Sequence, residues 1–230
     1  MDTQTIVADS RLAFIQGRYD ESLELAKQAL KMDSQSADAH QCAGNAYMSK
    51  ADYESAIEHY KKAIENDADN GDRYFNLGYA YASDNQPVKA LEMFAKADEV
   101  GCSPNVVGQL YKIMAMLCFD MHRYNDAVLN FIKSEKIIGI DMEVLQRKAL
   151  SYSMSGDTVA GIEVANQMKL LAPTDYIGYR IAFFYRKSDL KKQKKSWIVQ
   201  NVLLSLPKIC SWIGSHMKQH VISLIMTEHI

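Results

Sequence analysis

The chain has 230 residues, 48% of them hydrophobic and 23% charged, with a formal net charge of -2. That balance is ordinary for a soluble protein with a real core, so the composition argues against a disordered chain. Cys42, Cys102, Cys118 and Cys210 are far apart with no Cys-x-x-Cys pair, which excludes a disulfide framework and a thiolate zinc site.

In chain order, the first pattern covers residues 3–36, and clearer copies follow at 37–70 and 71–104. The segment CAGNAYMSKADYESAIEHYKKAIE begins at Cys42, and NLGYAYASDNQPVKALEMFAKADE begins 34 residues later at Asn76. Small and aromatic residues coincide: Gly44 with Gly78, Tyr47 with Tyr81, Ala56 with Ala90, Tyr60 with Phe94, and Ala63 with Ala97. Looser copies continue at 108–141 and 142–175, after a step of 37 residues instead of 34. Three additional residues fall near Ser103–Val107 and are expected to lengthen a loop. Small residues at fixed spacing let paired helices approach closely. Tyr47 and Tyr81 are expected to fill the space beside the glycines. Gly17, Ala51 and Gly156 mark tight turns, Asp52 and Asp157 are expected helix N-caps, and Pro87 suits a first helical turn.

Tyr74-x-x-Leu77-Gly78-x-x-Tyr81 followed by Ala90-x-x-x-Phe94 resembles the tetratricopeptide repeat. The resemblance spans about three quarters of the chain and implies an all-α, right-handed solenoid of about five stacked antiparallel helix pairs in residues 1–175. Residues 176–230 read as a degenerate sixth unit and a C-terminal cap, in which Phe183 replaces the small crossing residue. They carry nine Lys or Arg against Asp189 and Glu228, while residues 1–175 carry 17 basic and 26 acidic residues, a net of -9. The body therefore does not attract nucleic acid.

The family register places a concave groove on the first helix of each unit. The residues on it are Val7, Arg11 and Phe14; Gln41 and Asn45; Phe75, Asn76 and Tyr79; Lys112, Met116 and Phe119; and Gln146 and Leu150. The implied function is a non-catalytic scaffold or adaptor in the cytoplasm, with no cofactor and no metal, binding a protein segment that is apolar-rich and not acidic. Asp38, Asp72, Asp120 and Glu143 lie on or beside this face against Arg11 and Lys112, which argues against acidic ligands. One specialised branch of the family holds a C-terminal carboxylate with two asparagines and several cations. Asn45 and Asn76 match its asparagines, but Gln41, Gln109 and Ile113 stand at the cationic places, so that activity is not expected.

No phosphate-cradling glycine loop and no Gly-x-Ser-x-Gly elbow is present. His40, His59 and His122 read as structural, and His216 with His220 as a surface pair. The rival reading is self-association or attachment to a membrane surface through the adjoining basic and apolar blocks at 186–195 and 197–207. No apolar run is long enough to span a membrane.

Overall fold

In the computed structural model, residues 2–172 are described, and among them every regular element is an α-helix. The helices are α1 (Thr3–Ile15), α2 (Tyr19–Met32), α3 (Ala37–Ser49), α4 (Tyr53–Asn66), α5 (Gly71–Ser83), α6 (Pro87–Val100), α7 (Pro104–Asp120), α8 (Tyr124–Ile138), α9 (Met142–Ser155) and α10 (Thr158–Leu171). The chain divides into two compact units, Met1–Ser151 and Tyr152–Ile230. In the first unit α1–α2, α3–α4, α5–α6 and α7–α8 form antiparallel hairpins, and α2 packs on α3 as α4 packs on α5. Within the second unit, α10 starts at an Asp157 cap that accepts from the Ala160 amide at 3.1 Å. The degenerate sixth unit, the basic and apolar blocks, Cys210, His216 and His220 lie outside the described residues.

Each hairpin turns in the same way. Gly17, Ala51, Asn85 and His122 have φ of +76°, +57°, +56° and +61°. The amide of the next residue then donates back into the ended helix: Arg18 to Ala13 O at 2.9 Å, Asp52 to Tyr47 O at 3.0 Å, Gln86 to Tyr81 O at 2.8 Å, and Arg123 to Cys118 O at 2.7 Å. This six-residue closure satisfies carbonyls that the helix end would leave orphaned. Only one of these four positions is glycine, so the tertiary fold holds the other three side chains in a left-handed conformation they disfavour. Asp52 caps α4 by accepting from the Ser55 amide at 3.1 Å, and Pro87 occupies the first turn of α6.

The residue filling the space over each crossing glycine comes from the second helix, which corrects the expectation for Tyr47 and Tyr81. A Cβ on Gly44 would lie 2.6 Å from the Tyr60 ring, and one on Gly78 would lie 2.7 Å from the Phe94 ring. Phe94 is fully buried in a cluster with Leu77, Ala90 and Leu110. In the α7–α8 hairpin the pair is Ala115 with Phe131, both buried. The α1–α2 hairpin substitutes Ser10 with Ala26, and the Ser10 hydroxyl donates to Ser22 O at 2.7 Å. Tyr47 instead stacks on His59, with centroids 5.4 Å apart.

The three additional residues do not lengthen a loop. They extend α7, which has 17 residues where α1, α3 and α5 have 13 each. Pro104 begins that helix, and the linker before it is held by Asp72, which accepts from the Ser103 amide at 2.8 Å and its hydroxyl at 2.6 Å. Gly71 permits this closeness, since a Cβ there would meet Gly101 O at 2.3 Å. Additional sequence is thus absorbed as helix where the next helix start is already fixed by proline and a carboxylate.

Two stability measurements test this geometry. Gly78→Leu forces a branched side chain into the Phe94 ring and is expected to cost about 3 kcal/mol or more in denaturant unfolding; an unchanged midpoint would contradict the crossing described. Ala51→Gly relieves a left-handed alanine and is expected to raise stability by about 0.5–1 kcal/mol in the same assay.

Candidate binding face and its electrostatics

The face anticipated from the register recurs on α1, α3, α5, α7 and α9. Phe14, Gln41, Asn45, Phe75, Asn76, Lys112, Met116, Phe119, Gln146 and Leu150 are half-buried, and Tyr79 is 49% exposed. Val7 does not belong to it: it is 5% exposed and packs with Ile6 and Leu23 in the core. Phe75 stacks on Tyr79 with centroids 6.5 Å apart and also tilts against Phe94 at 5.7 Å. The exposed Tyr79 ring is therefore linked through Phe75 to Phe94, the aromatic that closes the α5–α6 crossing. Phe14 rests against Tyr19 at 5.4 Å, and Met116 and Phe119 pack on the cluster of Ala115, Phe131 and Val144.

The amides expected to meet a ligand are partly committed. Asn45 Oδ1 accepts from the Tyr60 hydroxyl at 2.7 Å, and Gln41 Oε1 accepts from Arg73 Nη1 at 2.7 Å. Because an arginine only donates, Gln41 is fixed with its NH₂ group left over as donor. The Asn76 side chain makes no hydrogen bond to another described residue, whereas Gln146 is engaged.

Two cations absent from the sequence-based charge count organise this face. Arg73 is 4% exposed; its Nε and Nη2 donate to Asp67 Oδ2 at 3.1 and 2.8 Å, and Nη2 also donates to Asp38 Oδ1 at 3.0 Å. Arg11 reaches the other Asp38 oxygen at 3.0 Å, so α1, α3 and α5 are tied through one carboxylate. Partial burial opposes ionisation of Asp38, but the Arg73 hydrogen bond and the two cationic charges outweigh it and hold its pKa below the usual carboxylate value. Further along, Lys112 donates to Asp141, and Arg147 lies 3.4 Å from Glu143 and 3.8 Å from Asp120. The Arg147 guanidinium also sits over the Phe119 ring at 5.7 Å. The signal for Arg73 was available: its repeat equivalents are Ala39 and Leu110, both buried, so a charge stands in an apolar column.

His40 and His59 meet across the α3–α4 hairpin with Nδ1 atoms 3.0 Å apart. His40 Nε2 lies 3.1 Å from Ser34 O, which can only accept, so that nitrogen carries the hydrogen and His40 Nδ1 accepts from His59 Nδ1–H. Burial, then the neighbouring His40 and Lys62 charges, pushes His59 down to about 4. Burial likewise lowers His40. The ring centroids are 5.2 Å apart, which points the two nitrogens head-on along a hydrogen bond. Among the described residues, no group of three His, Cys, Asp or Glu is placed to hold a metal ion.

Residues 44–85 match the family model described as TPR repeat. The fold resembles the crystal structure of YrrB, described as a TPR protein with an unusual peptide-binding site, with a TM-score of 0.66 at 20% identity over 79% of this chain and 91% of that one. It also resembles the crystal structure of MamA, with a TM-score of 0.64 at 21% identity over 73% of this chain and 90% of that one. Among curated proteins no match was found.

The histidine pair gives a pH dependence. Between pH 6.5 and about 4 the unfolded chain binds protons that folded His59 refuses, so stability falls as pH drops through that window. Screening at the half-buried His59 reduces a shift worth ~3 kcal/mol to about 1–2 kcal/mol. Urea unfolding at pH 7 and pH 5 is expected to show this loss, and His59→Gln is expected to flatten it.

Proposed function

Because this chain is a tetratricopeptide-repeat protein, we propose that it is a non-catalytic scaffold that binds a peptide segment of another protein along the inner face of its first helices. The observation that carries this reading is Tyr79: a large ring, half in solvent, stacked on Phe75 and standing at the repeat position of Met116, with Phe119 one turn further along α7. A preformed aromatic platform loses little conformational freedom on binding and gains from burying an apolar side chain. Arg11 is paired with Asp38, Lys112 with Asp141, and Arg147 with Glu143, so a charged ligand would have to displace existing pairs. Apolar burial is the gain that remains, and an apolar-rich, non-acidic segment fits it. The leftover donors of Gln41 supply a partner for a ligand carbonyl. Among the described residues no helix is long and apolar enough to cross a membrane, and an adaptor working in the cytoplasm is the setting we assign.

The test begins with random-peptide display on the immobilised full chain. Selected peptides are then titrated against wild type and the double variant Tyr79→Ala, Phe119→Ala. Binding is expected to weaken by about 2 kcal/mol, roughly 30-fold, with helix content unchanged by circular dichroism. Peptides bound equally well by the double variant would place the binding face elsewhere.

A further inference from the structure

A second feature of the first unit takes no part in the face just described. Between the second and third hairpins lies a cavity of about 280 Å³, and none of the groove residues lines it. Its walls are α4, the end of α5 and the start of α6, with Ile57 and Tyr81 as its apolar surface. Tyr81 is 7% exposed, yet its hydroxyl makes no hydrogen bond to any described residue. The Tyr81 side chain lines the cavity, so its hydroxyl keeps a hydrogen free to donate to a guest there.

Two ammonium groups share that ring. Lys89 Nζ lies 5.4 Å and Lys61 Nζ 5.9 Å from the Tyr81 centroid, both within cation–π range. Neither lysine has a carboxylate within ion-pair distance among the described residues, although most other cations of the first three hairpins have one. Two like charges on one ring repel each other, and an anion between them removes that cost while adding charge-assisted hydrogen bonds.

The preceding repeat explains why this cavity is open. Between the first and second hairpins, Lys50 Nζ bonds Asp20 Oδ1 at 2.6 Å and bridges α2 to the α3 turn. The equivalent positions one repeat later are Asp84 and Glu54, two acids that cannot pair, and both line the cavity. Asp84 is held by the Gln86 side-chain amide. These carboxylates limit the guest. A polyanion such as nucleic acid would be repelled by them and by the net charge of -9 of residues 1–175, whereas one compact oxyanion can reach the lysines.

We propose that this cavity is a second binding site, separate from the peptide face, for a single oxyanion (a carboxylate or a phosphate group) held by Lys61, Lys89 and the Tyr81 hydroxyl. The test is a titration of the ¹⁵N-labelled full chain with inorganic phosphate and, separately, with acetate, at ionic strength held constant with sodium chloride. Saturable amide shifts confined to residues around Lys61, Tyr81, Gln86 and Lys89 are expected with one of the two anions, and which one saturates identifies the source as phosphate or carboxylate. Lys61→Met with Lys89→Met is expected to weaken binding by about tenfold or more, and Tyr81→Phe by a smaller factor. Tyr79→Ala is expected to leave it unchanged, which keeps this result independent of the peptide face. Shifts that never saturate, that match the chloride control, or that survive the double lysine substitution would overturn the proposal.

Discussion

The first unit depends on how closely two helices of one hairpin can approach. At Gly44 and Gly78 the missing Cβ admits the edge of Tyr60 and Phe94, with less than 3 Å between that ring and where a Cβ would stand. This large-into-small fit sets the spacing between helices, and that spacing determines which residues of the next hairpin are covered. Ser10 with Ala26 and Ala115 with Phe131 vary the volumes but keep one partner small, so the hairpins stack without a common residue at the crossing. The function proposed uses the same contact: Phe75 leans on Phe94, and Tyr79 stacks on Phe75, so the proposed ligand platform is anchored in the crossing itself.

Between hairpins, charge does what small residues do within them. Arg73 lies in a column where Ala39, Leu110 and Val144 are buried and apolar, and it is accommodated because Asp67, Asp38, Gln41 and the Ala37 carbonyl all accept from it. A buried guanidinium with that many partners offsets its desolvation, and removing either carboxylate would leave its charge less well compensated. Lys148 repeats the device between α8 and α9, where it donates to Glu135. In its column Leu77 and Ala43 are buried, as Lys148 itself is. Such pairs tie one hairpin to the next at a fixed point of contact.

The two proposed binding regions differ in physical character. Along the first helices the charges are already partnered and the exposed ring is aromatic, so association there draws on apolar burial. In the cavity over Tyr81, Lys61 and Lys89 have no carboxylate partner among the described residues and the acids stand where the previous junction has an ion pair, so the association proposed there draws on charge. A repeat array can hold both because each junction reuses one backbone geometry while its side chains vary independently.

Periodicity alone located the repeats and several of their caps and turns, because helix pairing imposes small residues and tight turns at fixed intervals that survive in one sequence. Ala51, Asp52 and Pro87 are readable in this way, as are Gly44 and Gly78. Which aromatic fills each crossing was not readable, since Tyr47 and Tyr60 are both near the glycine in register and only the packing of α3 on α4 chooses Tyr60. The fate of three additional residues was likewise a tertiary matter: Asp72 on α5 reaches Ser103 and makes them helix. Of the candidate face, register supplied the positions, but not that Val7 turns inward, that Gln41 and Asn45 are partly spent, or that Arg73 and Arg147 join it from elsewhere. Hydrogen bonds and ion pairs between residues some thirty positions apart depend on the side-chain reach across a junction, and a linear pattern of residue types does not contain that distance.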